Sequence, residues 1–194
     1  VTVKCRIGVD DMDEEKDLSN FINIVKDSGC GTFIIHARKA WLNGLSPKDN
    51  REIPPLNYKR VYALKEEFPE LEIILNGGIT STEQSSEHLK HVDGVMLGRH
   101  AYDNPYSLIE VDEVIFNHEK REETRTDVLK NLIPYLEKEY RQGNKLSYIT
   151  KHLMGLFKGT KYAKKTRSIL ATIDNEKAPI QSILLLISEI EESC

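Results

Sequence analysis

Two glycine-bearing pieces of this sequence carry the clearest chemical possibility. In Asn76-Gly77-Gly78-Ile79, two residues without Cβ let backbone N–H groups come close to a ligand. Gly98-Arg99 puts another unshielded N–H beside a guanidinium, a pair suited to a phosphate monoester. Each piece alone reads equally well as a turn between strand and helix; together, at successive strand ends, they point to phosphate binding. Lys4, between Val3 and Cys5, lies inside an alternating strand pattern. It is either a solvated strand-end lysine or an inward ammonium, and the second needs an anionic or electron-rich partner because an unpaired buried charge is costly. His36 ends a second apolar run and could donate to a ligand, act as acid or base, or sit satisfied in the core. No second His or Cys stands at ligand spacing, so no metal site is expected.

Basic residues cluster in two further places. The stretch 40–56 is long for a strand-to-helix connection, and with its flanks it mixes Lys39, Lys48 and Arg51 with Trp41. Such a loop can hold an RNA backbone and stack on a base, or it can simply close over a site as a lid. Residues 141–167 contain eight Lys or Arg and no acid. The 27 basic residues less these eight leave 19 against 31 acids, so the net charge of −4 hides a −12 remainder. Charge runs are commonly solvated faces, yet those mix signs; the missing acids favour contact with a polyanion.

The elements that must position these residues alternate between two periods. Residues 2–7, 32–35, 71–75 and 94–98 read as strands, separated by helices on Leu18, Phe21, Ile22 and Val25, on Val61, Leu64 and Phe68, and on a segment capped by Ser81 or Thr82. That rhythm predicts βαβ units and a parallel sheet. Placement of the unusual residues at strand ends favours a (β/α) barrel over a doubly wound sheet. Beyond about residue 111 the strand signals stop. Helices are expected over 112–142, with a bend at Pro134, and over 145–158, 162–173 and 179–192. The fold class is therefore α/β, with four parallel strands from the C-terminal half of a TIM (β/α)8 barrel in residues 1–111 and an all-α domain in 112–194. Four strands cannot close a barrel of eight. The chain also opens directly on a strand pattern without Met, so a preceding barrel half that pairs with the raw sheet edges is expected. Apolar residues at 39% and charged ones at 30% describe a globular chain, and no apolar run approaches the roughly 20 residues of a membrane span. The apolar run 181–187 reads as a buried helix face. Three widely spaced cysteines, Cys5, Cys30 and Cys194, fit a reducing, cytoplasmic setting.

Five pieces, 1–8, 36–42 with 44–48, 50–56, 76–79 and 93–99, resemble the A subfamily of bacterial-type tRNA-dihydrouridine synthases. The resemblance is dense to about Pro105 and looser in the helical tail; the long run from His36 to Leu56 is its most specific part. It implies an FMN enzyme that reduces the C5–C6 double bond of uridine in the tRNA D-loop, with NADPH reloading the flavin. It further implies that Lys4 and His36 contact the flavin, that Asn76, Gly77, Gly78, Gly98 and Arg99 hold its ribityl phosphate end, and that Lys48, Arg51, Lys164 and Arg167 meet tRNA. The family's proton-donating cysteine belongs to earlier barrel strands, and Cys5, Cys30 and Cys194 do not match it. No catalytic acid is therefore assigned in this chain, which is expected not to turn over alone: hydride delivered to C6 leaves negative charge at C5 that a positioned acid must quench. Two other readings stay open, a non-catalytic RNA-binding module and another (β/α) barrel for a phosphate ligand.

Overall fold

The computed structural model describes residues 1–193; Cys194 lies outside the described residues. The chain forms two compact units, Val1–Gly98 and Arg99–Cys194. In the first, strands β1 (Val3–Arg6), β2 (Thr32–His36), β3 (Glu72–Asn76) and β4 (Gly94–Met96) alternate with helices α1 (Lys16–Asp27), α2 (Tyr58–Glu67) and α3 (Thr82–His88). The strands make one parallel sheet in the order β1-β2-β3-β4. Sequential order decides between the two architectures left open by the strand rhythm. A doubly wound sheet reverses its strand order at a switch point, whereas a barrel wall adds each strand beside the last. The sheet is thus a barrel segment.

Register sorts every strand residue onto one of two faces. Phe33, Ile35, Ile73 and Leu75 are fully buried and, with partly buried Val3, Cys5 and Val95, belong to one core with Leu18 and Ile22 of α1 and Val61 and Leu64 of α2. Alternation along a strand therefore sends Lys4, Arg6, Ile34, His36, Ile74, Asn76 and Met96 to the opposite face. That is the face a closed barrel turns inward.

Local signals end the elements largely where the sequence suggests. Gly29 at φ +94° follows α1, and Ser81 caps α3 by accepting from the Gln84 N–H. Other expectations are corrected. Phe21 faces outward at 40% exposure although it shares the α1 spacing, because Leu18, Ile22 and Val25 make the contact with the core. Strand β4 stops at Met96, not at residue 98.

The second unit holds α4 (Arg99–Asp103), α5 (Val111–Val114), α6 (Arg125–Arg141), α7 (Ser147–Thr150), α8 (Ala163–Ala171) and α9 (Pro179–Glu192). The helix expected over 145–158 shrinks to α7 and a 3-10 turn at Lys151–Leu153. Helix α6 starts at a capping box between Thr124 and Asp127 and continues through Pro134. Its Leu129 and Leu136 pack with Leu146, Leu156, Phe157, Leu170 and Ile183, Leu186, Ile187 and Ile190 of α9. The run 181–187 is only half a core face, since Leu184 and Leu185 point outward; a 3.6-residue period cannot bury seven consecutive residues. Among the described residues no helix is long and apolar enough to cross a membrane, and no cluster of three or more His, Cys, Asp or Glu could hold a metal ion.

Candidate functional site

The ends of β2 and β3 are tied into one surface. His36 and Asn76 are register partners, and the Ala37 N–H donates to the Asn76 carbonyl at 2.8 Å. The Asn76 side-chain amide reaches across to the Met96 carbonyl of β4, also at 2.8 Å. The chain then turns sharply through Gly77 (φ +121°) and Gly78 (φ +68°), the left-handed region that glycine enters without penalty. A Cβ on Gly77 would lie 2.5 Å from His36 Cδ2, and one on Gly78 would lie 2.6 Å from Leu56 Cδ1. The imidazole thus packs directly on the glycine turn. Among the described residues no protein acceptor takes the N–H of Gly77 or Gly78; Gly77 is buried and Gly78 exposed, so the Gly78 N–H is the donor at this strand end that an anion could meet.

Lys4 occupies the same face one layer lower, in register with Ile34 and, through it, with Ile74. It sits two residues, about 6.6 Å of strand rise, below the row of Arg6, His36 and Asn76. Its ammonium is exposed there, and the protein mass beside it, followed by the like charge of Arg6, lowers its pKa. The structure therefore brings Lys4, His36, Asn76, Gly77 and Gly78 together on one face and its rim. Gly98 is the last residue of this unit and exposed, and Arg99 opens the next unit at the start of α4.

The stretch 40–56 is ordered by partners that the sequence reading passed over. Arg6 donates to the carbonyls of Lys39 (2.7 Å) and Asn50 (2.8 Å). Asn50 clasps Trp41 at both backbone groups, with Trp41 N–H donating at 2.7 Å and Trp41 O accepting at 2.6 Å. Arg38 holds the carbonyls of Glu52 and Pro54. Burial first, then the charges of Arg38 and Arg51, lower the Arg6 pKa, so three guanidiniums crowd this rim. Lys48 and Arg51 lie exposed at and within the 3-10 turn Asp49–Arg51. Trp41, at 37% exposure, is open on the same loop. The signal for Arg6 was its place two residues after Lys4 on the same strand face.

Cys5 points the other way, into the helix-side core, where burial pushes its thiol up to about 11. A thiol held neutral behind the sheet cannot serve a ligand on the open face.

In the second unit, Lys151, His152, Lys158 and Arg167 line a cavity of about 260 Å³ with Tyr102 and Gly155. Tyr102 hydrogen-bonds to His152 Nδ1 at 3.0 Å, and Asp103 is the one acid in the lining. The acid-free run is less uniform in space than in sequence: Lys165 pairs with Glu189 of α9, and Arg141 with Glu137 at 2.9 Å. Lys164 is exposed on α8 outside this cavity, one turn from Arg167. Sequence reading singled out Arg167 and counted Lys151 in the basic run, but not Tyr102 or His152, whose convergence with them comes from segments far apart in the chain.

A barrel segment with an amide-lined turn and a cationic rim, followed by a helical unit, matches what comparison finds. Residues 1–191 match the family model described as "Dihydrouridine synthase (Dus)". The chain belongs to the dihydrouridine synthase family. Among curated relatives it is 53% identical over 171 residues to a tRNA-dihydrouridine(20/20a) synthase of Shewanella oneidensis, covering 88% of this chain and 51% of that protein. The Synechocystis sp. protein of the same name is 51% identical over 171 residues, with the same coverages. That of Escherichia coli (strain K12) is 52% identical over 172 residues, covering 88% and 50%. The chain spans about half the length of these relatives.

Proposed function

We propose that this chain forms the flavin-phosphate wall and an RNA-gripping helical unit of an FMN-dependent tRNA-dihydrouridine synthase that reduces uridine in the D-loop. The observation that carries this reading is the gathering of Lys4, His36 and the Asn76-Gly77-Gly78 turn on one face of a parallel sheet, His36 and the turn at its carboxyl end and Lys4 one layer below. The residues fit FMN's phosphate end: the exposed Gly78 N–H is unclaimed by any protein acceptor among the described residues, and the nearby guanidiniums add charge. The family resemblance assigns Gly98 and Arg99 to the same phosphate in this proposal.

FMN would supply the hydride for C6 of uridine, and NADPH would restore it. Lys4 offers a cation on the face that carries the flavin ring, and its lowered pKa follows from partial desolvation. His36 is held against Gly77, so its ring is oriented before any ligand arrives. Lys48, Arg51, Lys164 and Arg167 hold RNA phosphates, and Trp41 offers a stacking surface for an unstacked nucleotide. Among the described residues no group on the open face is a thiol, so in this proposal the acid that protonates C5 comes from elsewhere and the isolated chain does not turn over. The free edges of β1 and β4 accept the remaining barrel strands. A tRNA substrate places the work in the cytoplasm.

The test is purification of the natural polypeptide carrying these residues. Co-purifying yellow chromophore released as FMN, together with salt-sensitive tRNA binding, is the expected result. A colourless protein that still binds tRNA would favour the non-catalytic RNA-binding reading, and FMN without salt-dependent tRNA affinity would leave only a phosphate-ligand barrel.

A further inference from the structure

We infer that Tyr58 is a positioning residue for phosphate recognition, because it fixes which way the Gly78 N–H points. The inference rests on the flavin reading above and adds a residue to it. Asn57 caps α2 by accepting from the Arg60 N–H at 3.1 Å, which sets Tyr58 as the first residue of the helix. From there the Tyr58 hydroxyl donates to the Gly77 carbonyl at 2.8 Å. The described chain has no cis peptide, and in a trans unit the C=O and the following N–H point in opposite directions. Holding Gly77 O toward α2 therefore turns Gly78 N–H to the opposite side, free of any protein acceptor among the described residues. A Cβ at residue 78 would stand 3.1 Å from the Tyr58 hydroxyl and 2.6 Å from Leu56 Cδ1, so a side chain there would press on this contact.

The Tyr58 ring is itself braced. The His88 ring of α3 lies against it with centroids 4.5 Å apart and planes tilted by 55°. His88 Nδ1 is hydrogen-bonded at 2.6 Å to the hydroxyl of Tyr62, one turn along α2, and the Tyr62 ring stacks on His91 at 4.3 Å. Burial, then the charge of His91, lowers the His88 pKa and favours the neutral ring that can accept from Tyr62. Four rings from α2, α3 and the segment after it thus hold one hydroxyl against one carbonyl. A peptide that two adjacent left-handed glycines would otherwise let rotate is locked.

The test compares two flavins that differ only in the phosphate. Apoprotein from the natural polypeptide and its Tyr58→Phe variant are titrated with FMN and with riboflavin, followed by quenching of flavin fluorescence. Loss of one hydrogen bond behind the amide should weaken FMN binding about three- to tenfold and leave riboflavin affinity unchanged. Tyr62→Phe, which loosens the His88 brace but keeps the Tyr58 hydroxyl, should give a smaller loss with the same selectivity. Unchanged FMN affinity in Tyr58→Phe, or equal loss for both flavins in either variant, would overturn the inference. Equal wild-type affinity for FMN and riboflavin would remove the phosphate reading itself, and the inference with it.

Discussion

A methyl group at Gly77 would collide with the imidazole that the proposed site depends on, and its cost can be separated from ordinary backbone strain. Gly77→Ala has two consequences. The residue must hold φ near +121°, which for a residue with a Cβ costs about 1–2 kcal/mol. The new Cβ also starts 2.5 Å from His36 Cδ2, so the ring must retreat by about 0.9 Å to reach the 3.4 Å of ordinary contact. The β2 backbone cannot give way, because it is hydrogen-bonded to β1 and β3 on both sides, and Leu56 blocks a neighbouring direction at 3.2 Å. Overpacking of this kind adds about 1–3 kcal/mol. Gly44 supplies the control, with φ +83° and nothing within 4 Å of a built Cβ. Gly44→Ala should therefore show the strain alone. Urea unfolding should place Gly77→Ala below Gly44→Ala by about 1–3 kcal/mol, and FMN affinity should fall only in the Gly77 variant as His36 is displaced. Equal stabilities, or undiminished FMN binding in Gly77→Ala, would refute the claim that the turn and the imidazole are packed as one unit.

Lys4→Ala and Arg99→Ala should each lower FMN content while tRNA affinity is kept; flavin content unchanged in both would remove the site assignment. Lys158→Ala and Arg167→Ala should each reduce the slope of log K against log salt by about 0.7–0.9, whereas Lys165→Ala, whose ammonium is already paired with Glu189, should change it least; filter binding across a salt series reads all three. Cys5, with a thiol near 11 against an ordinary value of 9.0, should carry about a hundredfold less thiolate than an ordinary cysteine at pH 8. Its alkylation rate should keep rising with pH up to about 11. Peptide mapping after iodoacetamide treatment would expose the error if Cys5 were labelled at pH 8 as fast as a free model thiol. Arg60, only 6% exposed, donates to Glu14 O, Glu15 O and Ser19 and so ties α2 to the start of α1. Arg60→Met should cost about 2–4 kcal/mol by stranding those acceptors, seen as a lowered urea midpoint.

What the sequence determines by itself is local in origin. Alternation every two residues marks the four strands, 3.6-residue recurrence marks α1 and α2, and Ser81 and Gly29 mark ends that the backbone then respects. These signals are legible because each depends on near neighbours in the chain. Asn76-Gly77-Gly78 and His36 could be picked out for the same reason, being residue types that a plain turn or core strand does not need. The tertiary structure decided the rest. That β1 to β4 lie in sequential order, and that Lys4 shares a face with His36 and Asn76 while Cys5 is turned behind the sheet, follow from register between strands some 30 to 40 residues apart. The tie from Tyr58 to Gly77, the hold of Arg6 on residues 39 and 50, and the neutralising of Lys165 by Glu189 are likewise contacts between distant segments. One-dimensional periodicity fixes which face of an element is apolar, but it carries no distance between elements, and distance decides which charges are paired and which amides are left open to a ligand.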